Sequence, residues 1–172
     1  MAILVRRIIR GKWGEDAPIS SDVPADAITN CLKTTDNTLS VWKIESEVEL
    51  NDAILALATG LSQNSFSKID YVLIDECEMR DNGLSVVEYD GDTAFEEFVK
   101  KHKNITDLSY SKLGIVKNII IDCINKDKHK FITRAQIKQL VKSAIESGKL
   151  QKDKLNPTLI VNENLQSIHV KK

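Results

Sequence analysis

In Ser46-Glu47-Val48-Glu49, Thr93-Ala94-Phe95-Glu96 and Thr133-Arg134-Ala135-Gln136 a Ser or Thr stands three residues ahead of a Glu or Gln, where an apolar stripe of helical period begins. At that spacing each side chain can bond a free backbone N–H of the other residue, so each quartet marks the start of a helix. Apolar stripes of helical period follow: Leu50, Ile54, Leu57, Ala58 and Leu61; then Phe95, Phe98 and Val99; then Ile137, Leu140, Val141, Ala144 and Ile145. Helices are therefore expected over about 47–59, from Thr93 to about Lys103, and after Thr133, with Gly60 closing the first and Gly148 the last. Residues 110–125 place Leu113, Val116, Ile119, Ile120, Cys123 and Ile124 on one wide helical face. Pro24 suits the first turn of a further helix from Ala25 to Lys33.

Strand signals lie between these helices. ILVRRII at 3–9 and TLSVWKI at 38–44 are rich in residues that fit a pleated surface. YVLIDECEMR, Asp81-Asn82-Gly83 and LSVVEYD read as a hairpin, with Asn-Gly supplying the positive backbone angles of a two-residue turn. In the tail, TLIV and SIHV flank Asn162-Glu163-Asn164 as a second, shorter hairpin. The expectation is an α+β fold. A mixed or antiparallel sheet of about four strands with packed helices occupies 1–105, and a helical subdomain with a short terminal hairpin occupies 106–172. At 172 residues the two parts can share one core.

Charge divides the chain at almost the same place. Through Glu97 there are 8 Lys/Arg against 19 Asp/Glu, and from Phe98 onward 16 against 6, although the whole chain carries only −1. Such asymmetry suits a charged partner, or two parts that attract each other. Cys31, Cys77 and Cys123 are odd in number and widely spaced, which suits free thiols in a reducing cytoplasm rather than a disulfide framework. No apolar run approaches the length that spans a bilayer, so a membrane partner is not expected.

The hairpin carries the sharpest chemical expectation. If Asn82 and Gly83 form its loop, Asp75 faces Asp90 and Cys77 faces Glu88, which gathers Asp75, Glu88 and Asp90 on one sheet face. Like charges so placed need a cation between them, and a hard ion such as Mg²⁺ fits three carboxylates. A metal-dependent hydrolase or nuclease is thereby one reading, although Asp90 stands where such nucleases place a lysine. The chain contains no GxxxxGK[ST], HExxH or GxSxG, so no other catalytic constellation or cofactor is signalled.

In the back part, Lys128, Lys130, Arg134, Lys138 and Lys142 supply phosphate-pairing charge, and helices followed by a hairpin resemble a winged helix in outline. Nucleic-acid binding is a second reading. Trp13, flanked by glycines and beside Lys12, is the candidate anchor for a protein partner. The reading that uses most of these features is a non-catalytic binding or regulatory protein. It would act as a cytoplasmic subunit of a larger microbial assembly, with another protein as partner.

Overall fold

The computed structural model describes residues 2–14 and 18–171, and its centre is a six-stranded antiparallel sheet. The strands are β1 (Ile3–Ile8), β2 (Leu39–Ile44), β3 (Ile69–Asp75), β4 (Ser85–Glu88), β5 (His102–Thr106) and β6 (His129–Ile132), in the spatial order β4-β5-β2-β1-β3-β6. β1 lies between β2 and β3, with Ile3 opposite both Ile44 and Asp75. Its run of apolar residues follows from that position, because a strand with both faces covered need not alternate.

Alternate residues build two cores. On one face Val5, Trp42, Ile44, Ile69 and Tyr71 pack beneath α1 (Glu47–Ala58) and α4 (Arg134–Glu146). On the other, Leu4, Val41, Val72, Ile74 and Ile105 pack beneath α3 (Tyr110–Asn125), Trp13 and a short π-helical turn ending at Cys31. The front and back parts therefore share one sheet. β5 and β6 both come from beyond the charge boundary.

The helices α1, α3 and α4 stand where their periodicity places them. Ser46 accepts the Glu49 N–H at 3.4 Å, while the Glu49 carboxylate takes the N–H of Glu45 at 2.7 Å, one residue earlier than a reciprocal box would have it. At Thr133 and Gln136 the reciprocal box is complete.

Four expectations are corrected. The strand through Asp75 does not continue into a hairpin. It ends in α2 (Glu76–Asp81), where the Asp75 side chain accepts the Cys77 N–H at 2.8 Å and Glu76 and Glu78 occupy the acid-favouring first turn. Asn82-Gly83 closes this helix instead of turning a hairpin. Leu84 N–H reaches Met79 O at 3.0 Å and Gly83 N–H reaches Arg80 O at 2.9 Å, the paired bonds of a helix C-terminus with Gly83 at φ +72°. β4 then pairs with β5, at the opposite end of the sheet from β3.

Thr93 likewise caps no α-helix. Its hydroxyl is buried against that of Thr59 at 3.1 Å, and the following segment is a 3-10 turn (Glu96–Lys101) leading into β5. The terminal hairpin is replaced by α5 (Pro157–Asn162), capped by Asn156 with Pro157 in its first turn. The sheet has six strands rather than about four because β5 and β6 are short and polar in sequence, HKNIT and HKFI. Among the described residues, no helix is long and apolar enough to cross a membrane.

Candidate functional site

The α1/α4 face of the sheet is not fully covered. α1 begins directly after β2, so its first turn stands over the ends of β2 and β1 and leaves bare the stretch leading across β3 to β6. An open groove of about 1010 Å³ results. Ile3, Ile44 and Leu73 form its floor because all three project to the same face, and Leu50 of α1 forms a wall. Tyr71 also borders it. This residue is 7% exposed, its hydroxyl makes no hydrogen bond to the described residues, and burial raises its pKa, so it stays a neutral phenol.

The two lips differ in charge. At the α1 end, Glu45 is drawn down to about 2 by hydrogen bonds from Lys43 and Lys101, at 3.0 and 3.1 Å, and Lys101 also holds Glu49 at 3.0 Å. Glu47, beside them, makes no ion pair with the described residues. At the β6 end Lys130 lies 3.5 Å from Asp127, and His129 meets Asp70 at 3.1 Å. A mainly apolar floor with charge confined to the ends is suited to holding an apolar surface in one orientation.

The residues singled out in the sequence are scattered. Asp75 caps α2, Glu88 on β4 lies 3.4 Å from Lys103, and Asp90 is held by Lys100 at 2.7 Å. Three strands, β1, β2 and β5, separate β3 from β4, so the carboxylates do not meet. Among the described residues no group of three or more His, Cys, Asp or Glu side chains is arranged to hold a metal ion. Trp13 is fully buried, with its indole N–H on the Cys31 sulfur at 3.3 Å, and so offers nothing to a partner. Lys128 and Lys130 lie at the sheet edge, and Arg134, Lys138 and Lys142 along α4. Of these last three, Arg134 grips the buried Glu163 at 3.1 Å and Lys142 is 3.9 Å from Glu146, while Lys138 makes no ion pair with the described residues.

Part of the charge asymmetry is resolved inside the molecule. Lys101 with Glu45 and Glu49, Lys149 with Asp52 at 2.5 Å and Lys154 with Glu96 at 3.2 Å all join the basic part to the acidic part.

The three cysteines are free. Cys77 is exposed, whereas Cys31 and Cys123 are buried and burial pushes the Cys123 thiol up to about 11. Iodoacetamide at pH 8 is accordingly expected to alkylate Cys77 alone in the native protein. Mass spectrometry of its peptides checks this, and all three should react in denaturant.

No protein-family model, curated protein or solved structure matches the chain. The groove itself was not legible in sequence. Leu50 and Tyr71 read there as ordinary core positions, and only the strand order brings them beside Ile44 and Lys130.

Proposed function

We propose that this chain is a non-catalytic binding protein that takes a segment of another protein into the groove between α1 and β6. The open apolar groove carries the reading. Contiguous exposed apolar surface with a polar rim is the usual mark of an interaction site. The scatter of the carboxylates leaves the hydrolase reading without a site, and the division of basic residues between β6 and α4 supports nucleic-acid binding less well.

Leu50→Glu is the decisive substitution. It puts a charge into the groove wall at a helix first turn, where a carboxylate is itself tolerated. Partner recovered with the protein from its native cells is expected to fall about thirtyfold, the effect of losing one strong interface contact. Lys138→Glu, on α4, should leave recovery unchanged. Loss on Lys138→Glu with retention on Leu50→Glu would reverse the assignment and move the partner, or a nucleic acid, to α4.

A further inference from the structure

We infer that the groove is built for a short amphipathic helix with Lys or Arg at one end, Asp or Glu at the other and a hydrogen-bond acceptor at its centre. This rests on the protein-binding reading above. The groove crosses four neighbouring strands, from Ile44 on β2 past Ile3 on β1 and Leu73 on β3 to Lys130 on β6. Three interstrand gaps of about 4.8 Å make its floor roughly 14 Å long, which a helix rising ~1.5 Å per residue spans in about ten residues.

The scarcity of polar groups on the floor favours a helix over an extended strand. An extended segment would bring backbone N–H and C=O groups onto Ile3, Ile44 and Leu73, which cannot bond them, whereas a helix satisfies its own. The Ser46 hydroxyl accepts the Glu49 N–H, which leaves its O–H for at most one backbone carbonyl. Tyr71 borders the groove, and its hydroxyl, open to solvent, bonds none of the described residues. A Gln, Asn, Ser or Thr in the middle of the helix's buried face would accept from it.

Charge sets the direction. Glu47 stands free of ion pairs with the described residues beside Glu45 at the α1 end, and Lys130, 3.5 Å from Asp127, stands at the β6 end. A helix laid the wrong way would meet like charge at both ends. A second copy of the chain adding to the free β6 edge would bring the Lys130 side chains of the two copies close together, which short lysine-bearing edges are built to discourage.

The test uses labelled synthetic twelve-residue helical peptides with three leucines on one face and a central Gln between them. One set carries Lys at one end and Glu at the other, in both chain directions; a second carries Glu at both ends; a third replaces the Gln by Leu. By fluorescence anisotropy, the better of the two dipolar peptides is expected to bind about fivefold tighter than the all-Glu peptide, and Glu47→Lys should erase that preference.

Tyr71→Phe should weaken the Gln peptide about threefold to tenfold and leave the Leu peptide unchanged. Leu50→Glu should remove all binding. Equal binding of dipolar and all-Glu peptides, or a Tyr71→Phe variant that does not distinguish Gln from Leu, overturns the inference. If Leu50→Glu still abolishes that binding, the groove reading survives. Binding that persists in Leu50→Glu overturns both. Absence of binding by every peptide at millimolar concentration, or a dimer that excludes them all, overturns the inference.

Discussion

Gly91→Ala is expected to cost about 2–3 kcal/mol of folding stability, a large share of what a protein of this size possesses. A Cβ at this position would stand 2.3 Å from the Cη2 atom of Trp42 and 2.9 Å from both Trp42 Cζ3 and His102 Cβ, distances at which something must move. The indole has nowhere to go. It is 5% exposed, stacks on Phe98 at 5.8 Å and meets the edge of His102 at 4.9 Å. Nor can the backbone of residue 91 withdraw freely, since its N–H is bonded to Val99 O at 3.0 Å. The glycine is thus the ceiling of the Trp42 pocket. Urea unfolding measures the loss, and Gly114→Ala provides the opposite control. That residue lies inside α3 with nothing within 4 Å of the added Cβ, so the change should stabilise by roughly 0.5–1 kcal/mol. If Gly91→Ala were as stable as the parent, the packing described around Trp42 would be wrong.

The second large effect is expected at Glu163, whose carboxylate is wholly buried. One oxygen accepts the Phe66 N–H at 2.8 Å, and Arg134 donates to both oxygens at 3.1 Å. With Asn156 Nδ2 donating to Leu61 O at 3.0 Å and Asn162 Nδ2 to Asn64 O at 2.8 Å, it fastens α5 to residues 61–66. Glu163→Ala removes the acceptor, leaves the Phe66 N–H unpaired away from water and opens a cavity, a combined loss of about 3 kcal/mol. Glu163→Gln keeps an acceptor for Phe66 but gives up the ion pair with the largely exposed Arg134, so about 1 kcal/mol is expected. Hydrogen exchange separates the two variants. The Phe66 amide should exchange much faster in Glu163→Ala and nearly as in the parent in Glu163→Gln. Equal protection in all three would show that the carboxylate does not hold that loop.

Local signals were readable in this sequence wherever a residue acts on its immediate neighbours. Ser46 and Thr133 announce α1 and α4, and the apolar face from Leu113 to Ile124 announces α3, because capping and periodicity act within a few residues. Asp81-Asn82-Gly83 misled for the same local reason. Asn-Gly fits both a hairpin turn and a helix end, and the choice was made by Asp75, six residues earlier, acting as a cap. β5 was hidden because Lys103 and Asn104, polar residues that ordinarily signal a loop, are buried between β4 and β2. The candidate site was not legible at all. Its walls come from β1, β2, β3, β6 and α1, and only the strand order makes them neighbours. The charge division was plain to read, but whether its charges face outward or each other depends on pairs such as Lys149 with Asp52, almost a hundred residues apart.

The strand order also bears on how the chain reaches this state. β3 pairs with neither β2 nor β4, its neighbours along the chain, but with β1, more than sixty residues before it, and β6, about sixty after. The middle of the sheet therefore offers no hairpin from which to grow. Distant segments must be ordered before their contacts reward them, which places such a topology among slow folders, on the order of milliseconds to seconds. While β6 is still being synthesised, the outer edge of β3 stays open, and the apolar stretch from Tyr71 to Ile74 is the segment of the sheet most at risk of pairing with another molecule.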